Sequence, residues 1–523
     1  MQRSRHKILI ALGSLLVALV LFPVIEHYRG KRALERWKAE MVAKGEKFKI
    51  EKLIPPPPAP ADNAFPDVLF ASGRLRANPR LTGLKPPSLR FASPGKMIYS
   101  PGQTHWKGWD SAGSGTGDTN VTWEVLADEM AALIDPLNEA KAALTKSGFD
   151  ANLNYGFGFN LATIHLMDVK RLGEALCAAT LLDLHRGNIS AASENLKALS
   201  ALSRGQRDER LVISQFVRIS MTNIAVGATW QALQTPGWND EQLARLHAGW
   251  QSLEFLGAMA HALEMERAMQ GPAYDRLRQS SKEVADILGG YQNMFGGGGG
   301  GTNSISSLDD VVDLLRVKLP ELGRDSLYIP LWQFAWSHQD ELHCMELVQA
   351  PIETLRRAAK QNPGEEVAAA FRRLDTNTEE ANLYDRLRFR VSDMAFSWVS
   401  KSVQRALVCE TLRELTVAAI ALKRYELRHG KVAPSLAALV PELLPERPRD
   451  YMDGKPLRYR LNPDGSFLLY SVGQDGRDDG GDATPTAGAG SKPCLQNGRD
   501  LVWPAPASAE EIAAAEAKPA KRN

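Results

Sequence analysis

The chain has 523 residues, of which 44% are hydrophobic and 24% charged, a composition typical of folded globular proteins. Its 63 Lys and Arg residues are nearly balanced by 61 Asp and Glu residues, giving a net charge of +2. This balance argues against a nucleic-acid partner, because such a partner requires a strongly basic face. The length is sufficient for two or three domains.

An uncharged run, Ile8–Ile25, lies near the N-terminus and has about the minimum length for crossing a bilayer. Arg3, Arg5 and Lys7 precede it, and no small-residue cleavage site follows it. Residues 1–30 are therefore predicted to be an uncleaved signal anchor, a transmembrane helix whose partner is the lipid bilayer. A cleaved signal peptide is the alternative.

The orientation of the anchor is ambiguous, because both of its flanks are basic. The flank that follows holds more basic residues than the one before it: Arg29, Lys31, Arg32, Arg36 and Lys38. Positive charge favours the cytoplasmic side, but long domains translocate largely regardless of nearby charge. We predict a single-pass protein of the inner (cytoplasmic) membrane with a periplasmic, extracytoplasmic body. A cytoplasmic body is the open alternative.

A juxtamembrane helix and a Pro-rich linker are predicted for residues 31–61. Leu34, Trp37 and Met41 recur at helical spacing, and the run Pro55–Pro58 favours a stiff polyproline conformation. Residues 62–120 are rich in Pro, Gly and Ser and form an irregular region.

Residues 121–408 are predicted to form an irregular all-α body that resembles stacked helical hairpins. Apolar residues recur at three-to-four spacing in runs such as 161–185, 189–202 and 211–234. Asn239 is a candidate N-cap, and the glycines at 296–301 predict a loop. No period repeats three times, so a regular solenoid is not predicted.

Catalytic motifs are weak in this sequence. His338 and His343 are five residues apart, which places their rings roughly 140° apart on a helix. A zinc peptidase helix needs a spacing of four, and the four cysteines form no C-x-x-C pair. No catalytic residue is assigned and the protein is not predicted to be an enzyme. The alternative is a membrane-anchored hydrolase with a site between the helical body and residues 62–120.

Residues 409–503 are predicted to form a small α+β domain with an antiparallel sheet. An amphipathic helix, Glu410–His429, ends before a candidate C-cap, Gly430. Two alternating runs, Lys455–Leu461 and Ser466–Val472, predict strands joined by a hairpin loop at residues 462–465. Residues 504–523 are predicted to be a disordered tail.

Several short blocks of this region occur in a recognisable order. They are ALKRYELRHGK from Ala421, SLAALV from Ser435, DGKPLRYRL from Asp453, FLLYSVGQDG from Phe467, and a closing DLVW from Asp500. In this order, residues 418–503 resemble the globular part of the major pseudopilin of type II secretion systems. The chain departs from that family by lacking a prepilin peptidase site, by its long helical region and by the insertion at residues 483–498.

The resemblance implies one bound Ca²⁺ in the loop after the last long strand. Carried over by position, the ligands are the Val472 carbonyl and the Asp475 and Asp482 side chains, with Asp478 and Asp479 as further oxygen donors. The residue types agree independently, because Ca²⁺ takes six to eight oxygens and glycines allow carboxylates to converge. The alternative is a solvated acidic loop.

The sequence thus predicts a mainly α-helical, membrane-anchored binding or scaffold protein with a pseudopilin-like, calcium-binding C-terminal domain. A link to secretion or envelope machinery follows from the resemblance, and the protein partner is not identified by the sequence.

Overall fold

The computed structural model describes residues 2–76, 90–104, 106–107, 120–294, 324–360, 382–486 and 494–517. The described chain is mainly helical, as predicted. The Gly-rich loop at 296–301 lies outside the described residues. The longer α-helices of the described residues are α1 Gln2–Ala43, α2 Phe65–Arg76, α3 Trp123–Ala131, α4 Ile134–Ala143, α5 His165–His185, α6 Ile189–Gly205, α7 Val212–Gln234, α8 Asp240–Gln251, α9 Leu256–Gln279, α10 Ser281–Met294, α11 Ser337–Lys360, α12 Leu383–Arg388, α13 Arg390–His429 and α14 Ala509–Ala517.

The helix boundaries follow local capping chemistry. Asn239 caps α8: its Oδ1 accepts a hydrogen bond from the Gln242 N–H at 2.9 Å, and the Gln242 side chain accepts one from the Asn239 N–H. Gly430 ends α13 in the left-handed conformation, with φ +65°. Both caps are confirmed.

The long helix α13 is the centre of the fold. It packs against α7, α8, α9 and α11, and residues such as Val403, Leu412 and Ile420 are buried along its length. Burial of apolar side chains on several faces is what supports a helix of this length in a globular body. One hydrophobic core runs from Val68 on α2 to Trp503. The predicted domain boundary at residue 409 lies inside α13, so the body and the C-terminal module share this core.

The C-terminal sheet contains three short strands: β5 Arg458–Leu461, β6 Phe467–Ser471 and β7 Leu501–Val502. β5 and β6 form the predicted antiparallel hairpin, with Leu461 opposite Phe467, and β7 pairs antiparallel with β6. Gly465 has φ +82° in the hairpin loop, a conformation that suits glycine.

Two other small sheets lie outside this module. The hairpin of β1 Phe91–Ser93 and β2 Lys96–Met97 pairs in parallel with β8 Ala505–Pro506, and β3 Trp106–Lys107 pairs with β4 Asn120–Val121. The structure therefore differs from the predicted disordered tail, because the chain is ordered as far as Ala517. Its first residues form β8 because the edge of a distant hairpin offers backbone partners, and α14 follows.

Helix α1 is continuous, and beyond its N-terminal half it runs along the helical body. The helical spacing of Leu34, Trp37 and Met41 is confirmed, and Leu34 and Met41 are buried against the body while Trp37 is half-buried. Pro58 packs against Gly148, where an added Cβ would lie 2.4 Å from Pro58 Cβ. Residues 31–61 thus pack on the body and do not hold it at a distance.

Among the residues whose placement the structure describes, no helix combines the length and apolar character needed to cross a membrane. Most side chains of Ile8–Ile25 lie outside the described residues.

Candidate functional site

A buried carboxylate that the sequence analysis did not identify, Asp450, holds the end of β6, where the acidic loop begins. Asp450 is fully buried and accepts hydrogen bonds from the Ser471 hydroxyl at 2.7 Å and the Val472 N–H at 2.9 Å. Oδ2, the oxygen that accepts from the Val472 N–H, also lies 2.9 Å from the Arg458 guanidinium. Burial raises the pKa of Asp450 to about 6, although these hydrogen bonds oppose the shift. Asp450 thus fixes the end of β6, and Val472 with it.

A second buried carboxylate, Asp500, folds the rest of the loop around itself. It accepts hydrogen bonds from the backbone N–H groups of Gly481 at 2.7 Å, Asp482 at 3.0 Å and Asp479 at 3.4 Å. Burial raises its pKa, while the same hydrogen bonds lower it in part. Asp500 belongs to the DLVW block of the sequence analysis, but its hydrogen-bond partners are determined by the fold, which brings Asp500 back to the loop.

Glycine is required where the two ends of this loop meet. Gly473 has φ +68°, and a Cβ added there would lie 1.9 Å from the Arg499 carbonyl oxygen. The backbone just after β6 therefore lies directly against the backbone that enters β7.

The five predicted calcium ligands lie in this one loop, where their carboxylates accept hydrogen bonds from the protein. Asp475 accepts from the Arg477 N–H at 3.0 Å, and Asp482 accepts from the Thr484 N–H at 2.9 Å. Asp478 accepts from the Tyr470 hydroxyl at 2.9 Å.

Asp479 is exposed, and the Val472 side chain is buried. In the described part of the chain, no three His, Cys, Asp or Glu residues are grouped as a metal site would require. The oxygen-rich composition of the loop suits a hard cation, and Ca²⁺ binding stays a prediction.

A different polar site lies where α1 joins the body. The Glu26 side chain is 7% exposed, and its Oε2 accepts hydrogen bonds from Arg29, Gln339 and Tyr384, each at 2.7 Å. At Gly30 an added Cβ would lie 2.7 Å from Gln339 Cγ, so α1 and α11 are in close contact here. Glu26 thus ties α1 to α11 and α12 immediately after the apolar run.

The C-terminal end of the same helix contact is held by Glu46. Its two oxygens accept hydrogen bonds from Arg267 at 2.8 Å, from Gln349 at 3.2 Å and from both terminal nitrogens of Arg356. The Arg267 side chain is fully buried and the Glu46 side chain is 8% exposed. Burial alone would raise the pKa of Glu46, but the hydrogen bonds from Arg356 and Arg267 lower it to about 2.

An open cavity of about 370 Å³ lies beside the last turns of α11. It is lined by Glu353, Arg356, Arg357 and Lys360. Because Arg356 already pairs with Glu46 and Glu264, the positive charge of the lining is partly neutralised within the protein.

The two histidines weighed as metal ligands contact different elements. The His338 ring lies 5.2 Å from the His27 ring on α1, whereas the His343 ring stacks on Phe389 at 4.1 Å. His343 Nε2 is also 3.9 Å from the Asp393 carboxylate, beyond hydrogen-bond distance. The structure therefore does not bring the two histidines together, in agreement with their five-residue spacing.

In comparisons with known proteins, no family model matches the chain, and neither a curated protein nor a solved structure matches it significantly. The resemblance of residues 418–503 to pseudopilins stays a prediction, and it rests on the order of the short sequence blocks.

Proposed function

We propose that this protein is a membrane-anchored scaffold or binding protein whose folded body is fixed to its anchor. The observation that carries this proposal is the course of α1. The helix continues from the apolar run Ile8–Ile25 into the body, where Glu26 and Glu46 are held by buried hydrogen bonds.

Fixing the anchor at two points has a mechanical consequence. Leaving a buried charge without its partner is costly, so α1 does not detach easily from α9 and α11. Because α13 joins the body to the C-terminal sheet, this sheet is also held in a fixed position relative to α1. A body held in this way presents its surfaces at a constant height and orientation above the bilayer.

The C-terminal sheet is the surface that we propose for a protein partner. β5 is an edge strand of this sheet, and Arg460 and Leu461 on it are exposed. Exposed strand edges can accept an added strand from another chain. The pseudopilin-like order of sequence blocks supports a partner in secretion or envelope machinery, with the body in the periplasm.

Anchoring is tested with the full-length chain and a variant whose apolar run is interrupted, Leu16→Arg with Val17→Arg. The native protein is expected in the membrane fraction after an alkaline carbonate wash, and the variant in the supernatant, because each charge opposes insertion. Release of the native protein would contradict the proposal. A reporter fused after Asn523 that is active only in the periplasm supports the proposed orientation, and one active only in the cytoplasm overturns it.

Calcium binding is tested by thermal unfolding of the full-length protein with Ca²⁺, with Mg²⁺ and with chelator. A ligand that binds only the folded state raises the unfolding temperature, so Ca²⁺ alone is expected to stabilise the native chain. Asp475→Ala with Asp482→Ala should abolish the shift, whereas a control pair of exposed carboxylates, Asp135→Ala with Asp286→Ala, should retain it. Equal unfolding temperatures in all three conditions would show that the loop is a solvated acidic turn and does not bind Ca²⁺.

A further inference from the structure

The helical segment that precedes α11, residues 324–336, is π-helical at Arg324–Tyr328 and at Trp332–Trp336, and the second of these stretches packs against α1. Successive contacts pair Gly30 with Gln339, Lys38 with Glu341 and Glu46 with Gln349, so α1 and α11 run in the same direction. The residues that precede α11 in the chain therefore lie towards the N-terminal half of α1.

The position of Phe334 fixes the height of this segment along α1. Its ring stacks on His27 at 5.1 Å, and its carbonyl oxygen lies 2.8 Å from His27 Nδ1. Leu327 precedes Phe334 by seven residues in this helical segment, so it lies at most roughly 10 Å further towards the N-terminal end of α1. The apolar run lies at that height along α1.

The side chains of Leu327 and Phe334 are exposed although they are large and apolar. Leu327 is 73% exposed and Phe334 49% exposed. On the opposite side of α1, Ile25 is 59% and Tyr28 62% exposed. Single exposed apolar residues are ordinary, but here they surround one helix where its apolar run meets the body.

Basic side chains lie next to these apolar ones. Lys31 and Arg32 are exposed on α1 within two turns of Ile25, and Arg32 shares the outer face of the helix with Ile25 and Tyr28. Aromatic residues with adjacent Lys and Arg are typical of the headgroup region of a bilayer, where cations meet anionic lipid phosphates.

We propose that six residues, Ile25, Tyr28, Lys31, Arg32, Leu327 and Phe334, form a collar that binds the surface of an anionic bilayer. Leu327 and Phe334 enter the acyl-chain boundary, and Lys31 and Arg32 contact lipid phosphates. This inference rests on the proposed membrane anchor, and it adds a second lipid contact that comes from the helical body itself.

The collar is tested in full-length protein reconstituted into vesicles that contain nitroxide-labelled quencher lipids. Cys494 is exposed whereas Cys177, Cys344 and Cys409 are buried. An environment-sensitive fluorophore is therefore placed by Leu327→Cys in a Cys494→Ser background. Leu461→Cys, on β5 and 38% exposed, gives the matched control in the C-terminal sheet.

Several-fold stronger quenching at position 327 than at position 461 is expected. If the protein resists the carbonate wash while the two positions are quenched equally, the collar is refuted and the anchor stands. If the wash removes the protein, both proposals fail.

The basic half of the collar is tested separately with the same fluorophore at position 327. Quenching should be stronger in vesicles with anionic lipid than in purely zwitterionic ones. Lys31→Gln with Arg32→Gln should remove that difference, whereas the equally neutralising pair Arg204→Gln with Arg207→Gln on an exposed part of the body should preserve it. A difference that survives in the first pair would overturn the assignment of Lys31 and Arg32 to lipid phosphates.

Discussion

Replacing Glu46 with glutamine should detach the C-terminal half of α1 from the helical body. The pKa of Glu46 is lowered from 4.5 to about 2, so at neutral pH the folded state stabilises the ionised carboxylate by about 3 kcal/mol relative to the unfolded chain. Glu46→Gln keeps the shape but leaves the buried Arg267 without its carboxylate. Breaking one side of a buried pair costs about 3–5 kcal/mol, so we expect a loss near the lower end of that range.

Hydrogen exchange measured by mass spectrometry is the suitable assay, because it reports the stability of one segment. At neutral pH the amides of residues 31–43 should exchange roughly a hundredfold faster in Glu46→Gln than in the native chain. Glu40→Gln, an exposed carboxylate on the same helix, is the control and should change little. Unchanged protection of this segment in Glu46→Gln would show that the Glu46 hydrogen bonds do not hold α1.

The lowered pKa also fixes the direction of the pH dependence. The contribution of ionised Glu46 is fully present above pH 4.5 and is lost as the pH falls towards 2. Protection of residues 31–43 in the native chain should therefore decrease over this window, and the Glu46→Gln variant should lack that component.

Two further predictions concern other buried groups. Burial raises the pKa of Asp340 from 3.8 to about 7, so its contribution to stability is present below pH 3.8 and is lost as the pH rises to about 7. Urea unfolding of Asp340→Asn should lack this decline, and parallel pH profiles of variant and native protein would contradict it. Gly473→Ala should destabilise the C-terminal loop by at least about 2 kcal/mol, because a Cβ would collide with the Arg499 carbonyl. The measurement is limited proteolysis of residues 473–482. Cleavage should be faster in Gly473→Ala than in a Gly480→Ala control, where the added Cβ meets open space. Equal cleavage would refute it.

Local features could be predicted from the sequence because they depend on neighbouring residues. The Asn239 and Gly430 caps and the hairpin at residues 462–465 are confirmed. Each depends on chemistry within one or two turns, where spacing and residue type limit the possible conformations.

The roles of Asp450 and Asp500 could not be predicted in this way. Each carboxylate accepts hydrogen bonds from a segment about 20 residues away in sequence. An aspartate in a turn-rich stretch usually accepts from its own neighbours, and the alternative partner is determined only when the strands pair. Composition therefore indicates an acidic loop, but it does not identify which carboxylates organise it.

By itself, the sequence determined the mainly helical class, many helix ends, the C-terminal hairpin and the uncharged run in the N-terminal half of α1. Only the tertiary structure decided that α1 packs along the body, that α13 joins the body to the C-terminal sheet, and that β8 pairs with β2. The reason is physical: an amphipathic face or a strand edge shows that a partner is needed, whereas many segments could supply one. Arg267 and Arg356 lie 221 and 310 residues from Glu46, and folding of the whole chain selects that pairing.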